Sequence, residues 1–175
     1  MDKTSTHTQL QIRLLTAADI EVIADAFTAI GWHKPASQYQ RYLAEQAAGE
    51  RVVLVATVDG DFAGYVTIVW ESGYPPFRAA SIPEVVDFNV LPPYRRLHIG
   101  TKLMDEAEAR IAHRSPVVGI GVGLYPDYGA AQRMYVLRGY IPDGSGIWYD
   151  VHQVQPGETV CVDDSLALFF TKQLR

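Results

Sequence analysis

One short stretch, Val117-Val-Gly-Ile-Gly-Val-Gly-Leu124, constrains the fold more than any other part of the chain. It carries no polar side chain and shows no polar–apolar alternation. Far short of the roughly 20 apolar residues that cross a bilayer, such a run reads as a strand at the centre of a sheet, buried on both faces. A sheet of that kind needs helices packed against it, so the rest of the chain should alternate between further strands and amphipathic helices.

The alternation begins near the start. Residues 12–15 form a short apolar strand, and Thr16-Ala-Ala-Asp19 has the spacing of a capping box, with Asp in place of the usual Glu or Gln. Ile20, Ile23, Phe27 and Ile30 follow at helical spacing, and Gly31 closes that helix. A second capping signal, Ser37-Gln-Tyr-Gln40, opens a helix with Tyr39, Tyr42 and Leu43 on one side. Residues 52–58 and 62–70 are strands rich in Val, Ile and aromatics, and Asp59-Gly60-Asp61 between them is a hairpin signal. Residues 71–81, with Pro75 and Pro76, read as a loop whose Tyr74 and Phe77 could line a site. Residues 84–90 form a strand stopped by Pro92-Pro93, and residues 99–111 a helix with Ile99, Leu103, Ala107 and Ile111 inward. Residues 129–138 are a short helix stopped by Gly139. Residues 146–175 hold a polar strand or hairpin and then an apolar strand at 166–171. The order is β-α-α-β-β-β-α-β-α-β-β, an α/β domain.

The chain has 175 residues, 48% of them hydrophobic, enough for one well-buried core and too many for a disordered chain. Residues 1–11 are expected to be a flexible polar tail and 12–175 a single domain. A net charge of −5 argues against a general nucleic-acid binder, so any polyanionic partner must be met locally. The single cysteine, Cys161, excludes an intrachain disulfide and any C-x-x-C motif, which fits a reducing compartment. His33, His98, His113 and His152 have no metal-ligand spacing, so no metal is expected. With no apolar signal segment and no membrane span, the expected location is the cytoplasm.

Chemistry concentrates in Val90-Leu-Pro-Pro-Tyr-Arg-Arg-Leu-His-Ile-Gly-Thr101, a strand leading through a basic turn into a helix. The amides of a helix N-terminus point outward and carry about half a positive charge, and Gly100 permits close approach of a ligand. Arg95, Arg96 and Lys102 add full charges. Such a site suits a diphosphate, although solvated arginines and a glycine kept for packing would read the same way. Neither G-x-x-x-x-G-K-[ST] nor G-x-G-x-x-G is present in this loop. After the first strand, Thr16-Ala-Ala-Asp19 stands where a Rossmann domain would have its glycines.

The loop resembles the acetyl-CoA-binding motif of the GCN5-related N-acetyltransferases, the GNAT superfamily, whose pattern is Gln/Arg-x-x-Gly-x-Gly/Ala. Arg95 takes the first place and Gly100 the last, while His98 stands where the family usually has its first glycine. Downstream, Tyr128-Gly-Ala-Ala131-Gln-Arg-Met-Tyr135-Val-Leu-Arg-Gly139-Tyr140 resembles the family's Asn-x-x-Ala-x-x-Leu-Tyr-x-x-x-Gly-Phe, with Tyr128 in place of Asn. The resemblance spans nearly the whole chain. It implies a mixed, mostly antiparallel central sheet flanked by helices on both faces, and an acyltransferase that moves an acetyl group from acetyl-CoA to a primary amine of a small molecule or peptide by direct attack in a ternary complex. The alternative is a non-catalytic acyl-CoA sensor of the same fold.

The resemblance also implies roles. Arg95, Arg96, Leu97, His98, Ile99, Gly100 and Thr101 would bind the pyrophosphate, Phe88 and Val90 the pantetheine arm and thioester through their strand edge, and Ala131 would lie beside the cofactor. Tyr135 takes the place of the general-acid tyrosine that protonates the leaving thiolate; Tyr125 and Tyr128 are nearby alternates. An alkylammonium with a pKa of about 10.4 must lose a proton before it attacks. Glu84 is the candidate base: it lies at an even offset before Val90, hence on the face of Val86, Phe88 and Val90 in a regular strand. That offset carries the base in the histone-acetylating branch of the family. Glu84 could equally be a paired carboxylate at a strand start, Asp87 on the opposite face competes with it, and a bulge would break the parity. Ordered water is the third route for the proton. Trp32, Tyr74, Phe77, Trp148 and Tyr149 are candidate walls for the acceptor. No nucleic acid or membrane partner is expected, and a C-terminal strand can mediate a homodimer.

Overall fold

In a computed structural model, which describes residues 9–174, the stretch that anchored the sequence reading is the strand β5 (Val117–Gly123), and its two faces explain its composition. Val118, Ile120 and Val122 point one way and are fully buried. Gly119, Gly121 and Gly123 point the other way, where aromatic rings lie flush on the backbone. A Cβ added to Gly119 would stand 2.2 Å from the Phe77 ring, one on Gly121 2.8 Å from Phe169 and one on Gly123 2.5 Å from Tyr128. The glycines leave room for rings.

The described elements are β1 (Leu10–Leu14), α1 (Asp19–Ala29), α2 (Ala36–Ala47), β2 (Arg51–Val58), β3 (Asp61–Val69), α3 (Pro75–Ala79), β4 (Glu84–Val90), α4 (Ile99–Ala112), β5, α5 (Gly129–Leu137), β6 (Ile141–Tyr149), β7 (His152–Gln153) and β8 (Leu166–Gln173). Single 3-10 turns lie at Pro92–Tyr94 and Pro126–Tyr128. The eight strands run in the order β1-β2-β3-β4-β5-β8-β6-β7. β4 and β5 are parallel, whereas β1–β2, β5–β8, β6–β8 and β6–β7 are antiparallel. This is the mixed, mostly antiparallel helix-flanked sheet that the sequence implies.

Two compact units divide the chain: one takes in residues up to Ile68 together with Asp87–Ala107, the other Val69–Val86 with Glu108 onward. In the first unit, Ile20, Ile23 and Phe27 of α1 and Tyr39 and Tyr42 of α2 pack on Val53 and Val55 of β2 and on Phe62 and Tyr65 of β3. Burying side chains of this size contributes roughly 1.5–3 kcal/mol each, which is what holds two helices of modest length in place. The β2–β3 hairpin turns through Asp59 (φ 52°) and Gly60 (φ 95°), the two left-handed residues that the Asp-Gly signal predicts. In the second unit, Tyr74 and Phe77 close on Phe169, with Ile82, Trp148 and Ala167 against them.

Several expectations need correction. Asp19 accepts the Thr16 amide at 2.8 Å, one half of a capping box, but the Thr16 hydroxyl also donates to Asp19 and α1 follows Ala18 with no side-chain cap; Ser37 likewise does not cap α2. That helix starts two residues earlier than a Ser37 cap would place it, at Ala36 after Pro35, with no side-chain cap. Residues 71–81 contain a helix, α3, because Pro75 and Pro76 occupy its first turn, where proline is tolerated. The strand expected within 146–175 begins earlier, at Ile141; the register shift between Pro142 and Ile147 accommodates the positive-φ residues Gly144 and Gly146, which read as loop. The expected tail, 1–11, lies mostly outside the described residues, and Leu10 and Gln11 belong to β1, paired with Val58 and Thr57.

Candidate active site

Three sets of residues carry chemistry: the start of α4 and Asp87 of β4 in the first unit, and, in the second, Glu84 and Tyr135. After β4 the 3-10 turn of Pro92–Tyr94 leads into Arg95, whose Nε donates to the Val90 carbonyl at 3.2 Å and whose guanidinium lies 5.9 Å from the Trp32 ring. Arg96 (φ 64°) and His98 (φ 59°) both adopt left-handed backbone. His98 thus stands in the left-handed region that favours glycine, and histidine is among the side chains that tolerate it.

The first intrahelical bond of α4 beyond this turn is Lys102 N–H to His98 carbonyl, 3.0 Å. The amides of Ile99, Gly100 and Thr101 precede it, at the end of the helix that carries partial positive charge. The side chains of Arg96, Leu97, His98, Thr101 and Lys102 are exposed, and Ile99 is buried as an anchor. A Cβ on Gly100 would come 3.1 Å from Phe88, so this glycine also seats the Phe88 ring.

At Asp87 the backbone of β4 turns left-handed (φ 48°), and the paired positions of β4 and β5 are Glu84↔Gly119 and Val85↔Ile120. Parity therefore cannot be carried from Glu84 through to Val90, and the same-face argument for Glu84, Phe88 and Val90 fails. The Leu91 amide donates to Ala63 on β3, so by strand alternation the backbone groups of Val90 and Phe88 face away from β3.

Asp87 itself is fully engaged. Its carboxylate accepts from Lys34 Nζ (2.7 Å), Gln38 Nε2 (2.8 Å), Tyr42 (2.9 Å), Tyr65 (2.5 Å) and Asn89 Nδ2 (2.9 Å). Burial alone would push its pKa up, but the Lys34 charge and the hydrogen bonds of Lys34, Tyr65 and Tyr42 outweigh burial and hold it below the ordinary range. It is an ionised anchor for α2 and β3, with no oxygen left for proton transfer.

Glu84 is the opposite case. It is buried, and its carboxylate receives one hydrogen bond, from Ser72 Oγ at 2.6 Å. Burial pushes its pKa up to about 7, and the Ser72 bond offsets only part of that. Two carboxylates three positions apart on one strand are thus driven in opposite directions, the pattern that separates a proton-transfer group from a fixed charge.

Tyr135, on α5, is buried, and burial pushes its phenol upward, so it is protonated at neutral pH. No described residue hydrogen-bonds its hydroxyl, and among the described residues the one sealed side-chain polar atom without a partner is Trp148 Nε1. Tyr125 and Tyr128, the alternates, both donate to Asp164 and are spoken for. Ala131 lies half-buried one turn before Tyr135. Of the aromatic wall candidates, Phe77 is core against Gly119, Trp32 stacks on Phe27, Tyr149 donates to Asp163, and Tyr74 and Trp148 pack together at 4.9 Å. Sequence reasoning missed Ser72 and the Lys34–Gln38–Tyr42–Tyr65 cage, because partners 12 to 53 positions away leave no local spacing to read.

A mostly antiparallel sheet in which β4 and β5 run parallel, with a basic turn leading from β4 into a helix start, is the arrangement expected of an N-acetyltransferase fold. The profile of the Acetyltransferase (GNAT) family matches residues 18–140, and the chain belongs to that family. Its fold is shared with an N-acetyltransferase from Staphylococcus aureus Mu50 (15% identity, TM-score 0.70, 95% of this chain and 99% of that one). It is shared also with the paia N-acetyltransferase of Thermoplasma acidophilum, solved in complex with coenzyme A (14%, 0.64, 94% and 99%). A third structure, yncA from Salmonella typhimurium with its cofactor acetyl-CoA, gives 19%, 0.66, 95% and 94%. No curated protein matches the chain. Among the described residues no cluster of His, Cys, Asp and Glu could hold a metal, and no helix is long and apolar enough to cross a membrane.

Proposed function

We propose that the protein transfers the acetyl group of acetyl-CoA to a primary amine of a small molecule or peptide, by direct attack in a ternary complex, as a single N-acetyltransferase domain of the cytoplasm. The observation that carries this reading is Glu84: a buried carboxyl with one hydrogen bond and a pKa of about 7, set to hold a proton taken from an ammonium near neutral pH. The residues present fit acetyl-CoA. Arg96, Lys102 and the amides of Ile99, Gly100 and Thr101 would hold its pyrophosphate, with Arg95, Leu97 and His98 shaping the turn. The outward backbone of Phe88 and Val90 would pair with its pantetheine arm as an added strand, and Ala131 would leave room beside it. Acetyl-CoA supplies an activated acyl carbon and a thiolate leaving group.

Glu84 takes one proton of the acceptor ammonium, so that the neutral amine nitrogen bonds to the acyl carbon as the carbon–sulfur bond breaks, and the acylated nitrogen gives up its second proton to solvent. The Tyr135 hydroxyl donates its proton to the departing sulfur, and solvent returns it. The outward Val90 amide would receive charge developing on the carbonyl oxygen. An acidic protein draws cationic amines from a distance, which favours this acceptor class.

The test is release of free CoA thiol over a panel of primary amines, corrected for hydrolysis, with wild type, Glu84→Gln and Tyr135→Phe. Amine-dependent release that falls about 100-fold or more in either variant supports the assignment. Tight acetyl-CoA binding without turnover on any amine overturns it in favour of a sensor.

A further inference from the structure

The loop before α3 holds a hydrogen-bonded series that ends on the proposed base. Ser72 is fully buried, and its Oγ accepts the Tyr74 amide at 2.9 Å while donating to Glu84 Oε2 at 2.6 Å. The Tyr74 amide fills one of the two acceptor sites of the Ser72 hydroxyl, and because an ionised carboxylate can only accept, the serine hydrogen lies toward Glu84 in its charged form. Tyr74 is itself immobilised. Its ring stacks on Phe169 at 3.6 Å and meets Phe77 at 4.7 Å and Trp148 at 4.9 Å edge-on, and its hydroxyl donates to Asp143 Oδ2 at 2.7 Å. Asp143 is held in turn by the Ser145 amide, 2.9 Å, and the Ser72 and Gly73 carbonyls by Arg78, at 3.0 and 2.7 Å.

We propose that Ser72 is a positioning residue for the base: held by the Tyr74 amide, it donates to Oε2 of Glu84 and so designates Oε1 as the oxygen that takes the acceptor's proton. The inference rests on Glu84 being the base. Tyr74 is the second member of the device, transmitting the position of β6, through Asp143, to the carboxylate. Once Glu84 is protonated at Oε1, Oε2 keeps its bond from Ser72, so the group gains and loses its proton without reorienting. Among the described residues, the charged or titratable groups linked to the pair by hydrogen bonds or charge are Tyr74, Arg78 of α3 and, through Tyr74, Asp143 of β6. At the register positions beside Glu84, β5 and β8 offer Gly119 and Thr171, neither of which titrates.

The experiment is the pH profile of kcat/KM for wild type, Ser72→Ala, Ser72→Thr, Tyr74→Phe and Glu84→Gln, with the Glu84 carboxyl followed independently by 13C NMR. A bond to the charged form is lost in Ser72→Ala, so its acid limb and its NMR midpoint move to higher pH by about one to two units. Activity at pH 7 then falls about 5- to 50-fold while the KM for acetyl-CoA stays within about two-fold of wild type. Ser72→Thr restores both, and Tyr74→Phe, which keeps the amide and loses only the Asp143 bond, gives a shift of the same sign and smaller size. A dead Glu84→Gln beside an unshifted Ser72→Ala overturns the role of Ser72 alone. A fully active Glu84→Gln overturns the base assignment and this inference with it. A loss in Ser72→Ala that appears only in the KM for acetyl-CoA refutes positioning and leaves a structural role. Should Ser72→Ala fail to fold, the Thr and Phe variants carry the same test.

Discussion

Replacing Glu84 by Gln should make the protein more stable above neutral pH, the reverse of what removing a native carboxylate usually does. Glu84 goes from an ordinary pKa of 4.5 in the unfolded chain to about 7 when buried. Between those values the folded state binds a proton that the unfolded state does not, so stability falls as pH rises through that window. At ~1.4 kcal/mol per pH unit the loss is about 3 kcal/mol by pH 8. Glutamine has the same shape, stays neutral and still accepts from Ser72, so the variant escapes that loss. Urea unfolding of both proteins from pH 4 to pH 8.5 measures the difference directly, and contributions common to both, Asp87 included, cancel. The variant's advantage should be near zero at pH 4, grow between pH 4.5 and 7 and level off at about 3 kcal/mol. An advantage that does not change with pH would refute the argument, because Glu84 would then titrate alike folded and unfolded.

Asp87→Ala strips a five-donor anchor and leaves Lys34 without its counter-charge; unfolding free energy should fall by about 3–5 kcal/mol in urea titrations at pH 7. Because the folded pKa of Asp87 lies below its ordinary 3.8, the wild-type advantage should be complete above that value and fade as pH drops beneath it. His98→Gly relieves a left-handed backbone that costs an L-residue roughly 1–2 kcal/mol and should raise the thermal midpoint while leaving the KM for acetyl-CoA within about two-fold. Gly119→Ala drives a methyl into the Phe77 ring and should destabilise the protein by about 2 kcal/mol or more in the same urea assay, although alanine is the milder residue on paper.

What the sequence revealed, and what it hid, follows from the range of the interactions. Element types were legible because periodicity and turn chemistry act over a few residues: the unbroken apolar run of β5, the Asp-Gly hairpin and the strand Glu84–Val90 all read correctly. Boundaries failed where a distant partner decides. α2 starts without Ser37 as its cap because the Tyr39 and Tyr42 faces are buried against β2 and β3, and tertiary packing outweighs a local cap. β6 begins at Ile141 through a segment rich in turn residues because β8 pairs with it there. At the candidate site, the basic turn and Tyr135 sit in contiguous motifs and could be found. Glu84 could be named but not separated from Asp87, since the distinction lies in partners from other elements: Ser72 alone for one, and Lys34, Gln38, Tyr42, Tyr65 and Asn89 for the other. The strand parity used to choose Glu84 does not survive the left-handed backbone at Asp87; the proposal for Glu84 rests instead on its burial and its single Ser72 partner.

The central claim is that Glu84 carries the acceptor's proton, and the pH dependence of single-turnover acetyl transfer in wild type and Glu84→Gln tests it most directly. The account predicts a wild-type rate that rises through an apparent pKa of about 7 and a variant whose rate is lower at pH 7 by about 100-fold or more and lacks that limb. A variant that keeps both the rate and the limb contradicts it.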